Sequence, residues 1–267
     1  MPSLIQPYDR DALRAQFQQA EPFPFMAIDG FLDPAFAREV AASYPTYAQA
    51  RERGLEFKAI NEKKKVQITD AASFPAPVKR LNELLASEEF RKDLEYITGI
   101  ENLLDDPRLE GGGMHVTGSR GRLDVHVDFN YVEDRKLHRR LNILVYLNEG
   151  WKDEWGGAVE LWDPQVRTCV HSFKPVFNRC VVFATSEISF HGVEPVTCPE
   201  GTQRISFAAY YYTKEAPAHW DGTKHTTVFK ARPYERIRGH VLMPFQQARE
   251  QLIPSAKRVV KKLIGRD

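Results

Sequence analysis

The sequence predicts an α+β protein, with helices first, an antiparallel sandwich or barrel after them and a helical tail. Two observations carry this. Up to about residue 105 apolar residues recur at helical spacing between recognisable caps. From about residue 110, short β-branched and aromatic runs follow one another, separated by Gly, Pro or Asn with no helical period between them. On this reading residues 1–105 are a helix-rich part packing on the core, 106–214 the core itself and 215–267 a C-terminal extension of the same structural unit. An apolar fraction of 42% and an aromatic fraction of 11% are ample for a packed interior.

In chain order, Asp9 to Gln19 is rich in helix formers. Asp33-Pro34 supplies an N-cap and a first-turn proline for a helix reaching about Ser43. PVKRLNELLAS and SEEFRKDLEYITG are two further helices, the second capped by Ser87, acidic in its first turn and ended by Gly99. Ahead of them EKKKVQITD (62–70) is a basic stretch running into a strand, read as a solvated face. GGG at 111–113 lacks the Lys-Ser/Thr of a phosphate loop and reads as a hinge or close-approach turn. The strands expected are 122–128, 141–148, 158–163, 169–173, 180–185 and 203–213. In the tail, SAKRVVKKLIG puts Ala256, Val259, Val260, Leu263 and Ile264 on one helical face. Such a helix docks on its own domain, or touches an anionic membrane surface or a partner.

Lys plus Arg (37) nearly balances Asp plus Glu (36), so the chain lacks the basic footprint of a nucleic-acid binder. Three cysteines without a CxxC spacing do not make a disulfide framework and fit a reducing compartment. No run approaches the ~18 apolar residues of a membrane helix, and the N-terminus has no apolar signal region. The expectation is a cytoplasmic protein without a transmembrane segment.

With eight histidines and 36 acidic residues, a His-x-acid triplet arises by chance, and the chain has two. His219-Trp220-Asp221 lies in a loop-like stretch that positions nothing. His126-Val127-Asp128 lies in LDVHVDFNY, where a two-residue period puts His126 and Asp128 on one strand face and Val125 and Val127 on the other. His191, in FATSEISFHGVEPV, supplies a third donor at the rim of a pocket. Two histidines and a carboxylate leave half an octahedron open, as in non-haem Fe(II) oxygenases. Arg204 and Ser206 follow on one face of the strand RISFAAYYY, a guanidinium fork and a hydroxyl suited to a carboxylate at the base of a pocket.

With His126-x-Asp128, His191 and Arg204-x-Ser206 in this order, the sequence resembles the 2-oxoglutarate and Fe(II)-dependent dioxygenases, in their prolyl-4-hydroxylase-like branch. The likeness extends through GGGMHVTGSRGRLDVHVDFN, RRLNILVYLNEGWKDEWGGAVELWD and FNRCVVFATSEISFHGVEPVTCPEGTQRISFAAYYYT. It implies a double-stranded β-helix (jelly-roll, cupin-like) oxygenase core. It also implies Fe(II) on His126, Asp128 and His191. The distal carboxylate of 2-oxoglutarate would then sit on Arg204, helped by Ser206 and the phenol of Tyr146. Asn142 and Leu144, on the Tyr146 face, would line the cosubstrate pocket.

The activity implied is hydroxylation of an unactivated C–H bond with O2, giving succinate and CO2, with ascorbate as the reductant in vitro. A carboxylate at 128 favours hydroxylation over halogenation, which leaves that position to chloride. Asp124 shares the His126 face; it touches substrate, holds a ligand histidine or is an exposed acid at a strand start. His115 and Thr117 are candidates for the pocket mouth, Trp151, Trp155 and Trp162 for turn and core positions, and His138 for the surface. The substrate stays open between a peptidyl residue such as proline and a small molecule (amino acid, glycan or lipid precursor). A non-catalytic metal-binding jelly roll is the rival from another class.

Overall fold

The computed structural model describes residues 4–218 and 220–235; the tail helix read at 255–265 and His219 lie outside the described residues. Helix α1 (Arg10–Gln19) starts at Asp9, whose carboxylate accepts from the Asp11 and Ala12 amides. Strand β1 (Phe25–Asp29) follows. Helix α2 (Pro34–Ala42) has the expected Asp33 cap and first-turn proline. Helix α3 (Tyr47–Arg53) opens on a capping box between Thr46 and Gln49. Strands β2 (Leu55–Lys58) and β3 (Glu62–Ile68) then precede α4 (Ala76–Ala86) and α5 (Glu88–Thr98), the latter held between Ser87 and a left-handed Gly99.

The remaining strands are β4 (Gly113–Val127), β5 (Tyr131–Val132), β6 (Leu137–Tyr146), β7 (Val159–Trp162), β8 (Cys169–Phe173), β9 (Arg179–Ala184), β10 (His191–Val193), β11 (Gln203–Thr213) and β12 (Val228–Lys230). They form one curled antiparallel sheet in the order β1-β9-β6-β11-β4-β10-β7-β8, with β3 and β12 also on β4. This is a double-stranded β-helix. Its folding over rests on β4, whose first half pairs with β11 and whose second half pairs with β10.

Strand β4 is longer than its sequence signal, which begins only at residue 122. Of the glycines at 111–113 only Gly113 lies in the strand, and they form a close-approach turn at its start. A Cβ at Gly113, where φ is +83°, would lie 2.3 Å from the Ile68 carbonyl oxygen. Strand β1 carries no clean alternation, and pairing with β9 alone decides it.

Alternation along the strands divides two interiors. Val116, Ile143, Val145, Val182, Phe207 and Tyr211 face the helices and meet Phe17, Phe36, Leu81, Leu85 and Leu94 in the main core. Each such side chain, wholly buried, contributes about 1.5–3 kcal/mol. The opposite faces of the same strands turn into the barrel, where Tyr146, Val159, Leu161, Val181 and Phe183 pack together. The polar residues of those inner faces build the site.

Candidate active site

Strands β4 and β10 pair with His126 directly opposite His191, and the ring centres lie 4.3 Å apart. Each ring is oriented by its own backbone two residues upstream. His126 Nδ1–H donates to the Asp124 carbonyl at 2.9 Å, and His191 Nδ1–H to the Ser189 carbonyl at 2.9 Å. A tight turn in which the Ser189 hydroxyl donates to the Ser186 carbonyl (2.9 Å) holds that second acceptor. Both Nε2 atoms are thereby aimed at Asp128, at 3.5 Å from Oδ1 for His126 and 3.4 Å from Oδ2 for His191.

The three donor atoms lie within 4.8 Å of one another. Donors at right angles about a metal with bonds of about 2.1 Å would sit roughly 3 Å apart, so the spacing suits one small cation. His191 is also in the protonation state a ligand needs. Burial, and then the neighbouring His126, push His191 down to about 3, so its lone pair is free at neutral pH.

Asp128 is held by residues the sequence reading did not single out for that role. Asn142 Nδ2 donates to Asp128 Oδ2 at 2.7 Å, and Arg139 Nη2 lies 3.1 Å from the same oxygen. Arg139 also donates from Nε and Nη2 to Asn142 Oδ1 (3.0 and 2.8 Å) and lies 3.7 Å from the centre of the Tyr210 ring. Burial alone would raise the Asp128 carboxyl, but the Arg139 charge above all outweighs it and holds it well below the usual carboxylate range. With Oδ2 occupied, Oδ1 is the oxygen left for a metal. Simple alternation would put Arg139 and Asn142 on opposite faces. A bulge at Arg140, where β6 takes two steps to one on β11, brings them together.

These residues surround a cavity of about 300 Å³ whose wall includes Leu144, Arg204 and Ser206 as the sequence anticipates, and also His115 and Thr117. Arg204 is 4% exposed, its Nε donates to the Gly157 carbonyl at 2.7 Å, and no carboxylate among the described residues pairs with it. Burial lowers its pKa. Tyr146 stands behind it, with the guanidinium carbon 4.9 Å from the ring centre. The Tyr146 hydroxyl is buried without a hydrogen-bond partner among the described residues, and burial pushes it up to about 12. A buried guanidinium with no acid is costly, and it leaves this end of the cavity suited to an anion.

Two expectations need correction, and a third narrows. The basic stretch at 62–70 is not a solvated face. Pairing of Lys65 with Thr117 and Gln67 with His115 turns both side chains to the cavity, where Lys65 donates to Glu62 at 2.9 Å. His138 is not a surface residue; it is buried, 4.5 Å from the Trp220 ring. Asp124 is 1% exposed and off the cavity wall, so it is neither an exposed acid nor a substrate contact; of the three alternatives it takes the second, holding the His126 ring through its backbone carbonyl, while Arg122 Nε donates to its carboxylate at 2.8 Å.

His115 gives a test of the wall. Its Nε2–H donates to the Gly111 carbonyl at 3.0 Å, and burial, then Lys65, hold its pKa well below the ordinary value. As the pH falls, the unfolded chain takes up a proton that the folded ring refuses. This contribution to stability is therefore full above about pH 6.5 and is lost by up to ~1.4 kcal/mol per pH unit below it. In urea titrations of metal-free protein between pH 6.5 and 5, His115→Gln should lose stability less steeply than wild type. Equal slopes would mean the ring is not kept neutral.

Residues 112–212 match the 2OG-Fe(II) oxygenase superfamily. The chain is 33% identical over 84 residues to the prolyl 3-hydroxylase OGFOD1 of Mus musculus, covering 30% of this chain and 15% of that one. It is 28% identical over 213 residues to the prolyl 3,4-dihydroxylase OGFOD1 of Ostreococcus tauri, covering 73% and 38%. It thus spans well under half the length of either relative. Among solved structures, a Pseudomonas putida prolyl-4-hydroxylase is similar with a TM-score of 0.53 at 18% identity, over 75% of this chain and 98% of that one. A Trichoplax adhaerens prolyl hydroxylase in complex with a hypoxia inducible factor peptide has a TM-score of 0.54 at 18% identity, over 77% and 91%. At that identity the likeness is one of fold.

Proposed function

We propose that this chain, which belongs to the 2OG-Fe(II) oxygenase superfamily, hydroxylates a C–H bond of a peptidyl residue, proline first among the candidates. The observation that carries the reading is the single cavity shared by the His126, Asp128 and His191 donors and the acid-free guanidinium of Arg204. Proline is favoured because both sequence relatives are prolyl hydroxylases by name. A cavity of about 300 Å³ has room for metal, cosubstrate and a ring-sized reacting group.

The superfamily uses Fe(II) and 2-oxoglutarate. When bound, they supply a balanced oxidation in which 2-oxoglutarate, O2 and R–H become succinate, CO2 and R–OH. The chain supplies positions and protonation states. His126, Asp128 and His191 would hold the metal, with each Nδ1 proton kept on its ring and donated to the Asp124 or Ser189 carbonyl. Arg139 and Asn142 keep Asp128 Oδ2 engaged, so the carboxylate offers one oxygen. Arg204 and Ser206 take the distal carboxylate, with Tyr146 packed behind the guanidinium. Leu144, Val159, Phe183 and Val193 give the cavity an apolar wall that excludes water.

Anaerobic Fe(II) and 2-oxoglutarate should give wild type a visible metal-to-ligand charge-transfer band that His126→Ala lacks. A wild type without that band sinks the oxygenase reading. Prolyl peptides incubated with O2 and ascorbate should then gain one oxygen atom by mass spectrometry.

A further inference from the structure

The stretch shared with the superfamily ends at residue 212, yet the chain returns to the metal site well beyond it. Strand β12 runs antiparallel along β4 with Val228 opposite Val127, Phe229 opposite His126 and Lys230 opposite Val125. The Phe229 ring centre lies 5.3 Å from that of His126, and Thr227 and Phe229 line the cavity.

A three-residue strand whose Val228 is 41% exposed buries too little to hold itself in place. Arg232 holds it. The side chain is wholly buried, and its Nε and Nη2 donate to Glu160 Oε2 at 2.9 and 2.6 Å. Nη2 also reaches the Val193 and Leu123 carbonyls at 2.9 and 3.3 Å, and Nη1 lies 3.6 Å from Asp124 Oδ1. One guanidinium therefore ties together β7, β10 and β4, and the last two carry His191 and His126. Gly192 permits the approach, since a Cβ there would meet Arg232 Nη2 and the Val125 Cα at 3.2 Å each. Beyond Arg232, Glu235 accepts from Arg122 Nη1 and Nη2 at 2.8 and 2.7 Å, and the same arginine holds Asp124.

We propose that residues 227–235 are a strap whose buried anchor, Arg232, is a positioning residue for the metal ligands His126 and His191. This rests on the reading of His126, Asp128 and His191 as the metal site. Removing the guanidinium leaves Glu160 buried without its charge partner and frees the backbone of β4 and β10 to separate. Phe229 then loses its place against His126, and the Asp124 carbonyl that orients the His126 ring loses its neighbour's support.

The test uses the full-length chain and Co(II) as a spectroscopic probe for Fe(II). Arg232→Met should bind Co(II) about tenfold more weakly than wild type, with an altered ligand-field spectrum, as expected when a group that orients a ligand is lost. Arg232→Lys should recover part of both, and hydrogen exchange at the amides of 123–127 should quicken in Arg232→Met. Wild-type affinity and spectrum in Arg232→Met overturn the strap. Should that variant fail to fold, Phe229→Ala decides, because it leaves the ion network intact: weaker Co(II) binding supports the strap and unchanged binding overturns it. A wild type that binds no Co(II) overturns the metal-site reading and the strap with it.

Discussion

Arg204→Met should weaken 2-oxoglutarate binding by about 30-fold or more while leaving Co(II) or Fe(II) affinity near wild type. The expected loss is on the order of 2–5 kcal/mol, the cost of removing one partner from a desolvated, hydrogen-bonded charge pair. Arg204 has no acidic partner among the described residues, so the ligand carboxylate is the counter-charge it lacks. The same fact sets the sign of the stability effect. Without ligand the wild type keeps a guanidinium buried with no acidic partner among the described residues, met only by the Gly157 carbonyl and the Tyr146 side chain. An apolar side chain of similar length should therefore leave the melting temperature of the ligand-free protein unchanged or raise it. Arg204→Lys should fall between, since it keeps the charge and loses the fork. Paired loss of metal and cosubstrate binding in Arg204→Met would mean that Arg204 serves the metal site instead.

Asp128→Ala should abolish both metal binding and hydroxylation, and should also destabilise the metal-free fold. The first effect follows from reducing three convergent donors to two histidines. The second follows from Arg139, which is 3% exposed and whose one acidic partner among the described residues is Asp128. Leaving that guanidinium buried without its carboxylate should cost about 3–5 kcal/mol. The double variant with Arg139→Met should regain much of the stability, read from urea unfolding, and none of the Co(II) binding. Recovery of metal binding in the double variant would show that Asp128 is a structural partner of Arg139 and no ligand.

The parts of the site that could be read from the chain are those that a single strand encodes. His126 and Asp128 share a face because strands repeat every two residues, and Arg204 and Ser206 share one for the same reason. The helices at 34–42 and 88–98 were legible through their caps, and those at 10–19 and 76–86 through their helix-forming residues alone. Arg139 was not, because the bulge at Arg140 reverses the parity that its position in LHRRLNILVY suggests. Lys65 was not, because three successive lysines look like solvent-facing charge until pairing with β4 turns one of them inward. Positive φ at Lys64, beside the break in that register, has no signature in such a run.

By itself the sequence determined the class of fold, the donor types available to a metal and the guanidinium available to a carboxylate, since periodicity and residue chemistry are local properties. Tertiary structure alone decided which buried groups meet. Asn142 and Arg139 converge on Asp128 Oδ2 through a bulge, and Lys65 enters the cavity through register. Arg232 reaches β4, β7 and β10 from outside the shared core. The physical reason is common to all three. Which way a buried polar side chain turns, and what it meets there, depends on strand register across the sheet, and that register is set by the whole packed interior rather than by neighbours in the chain.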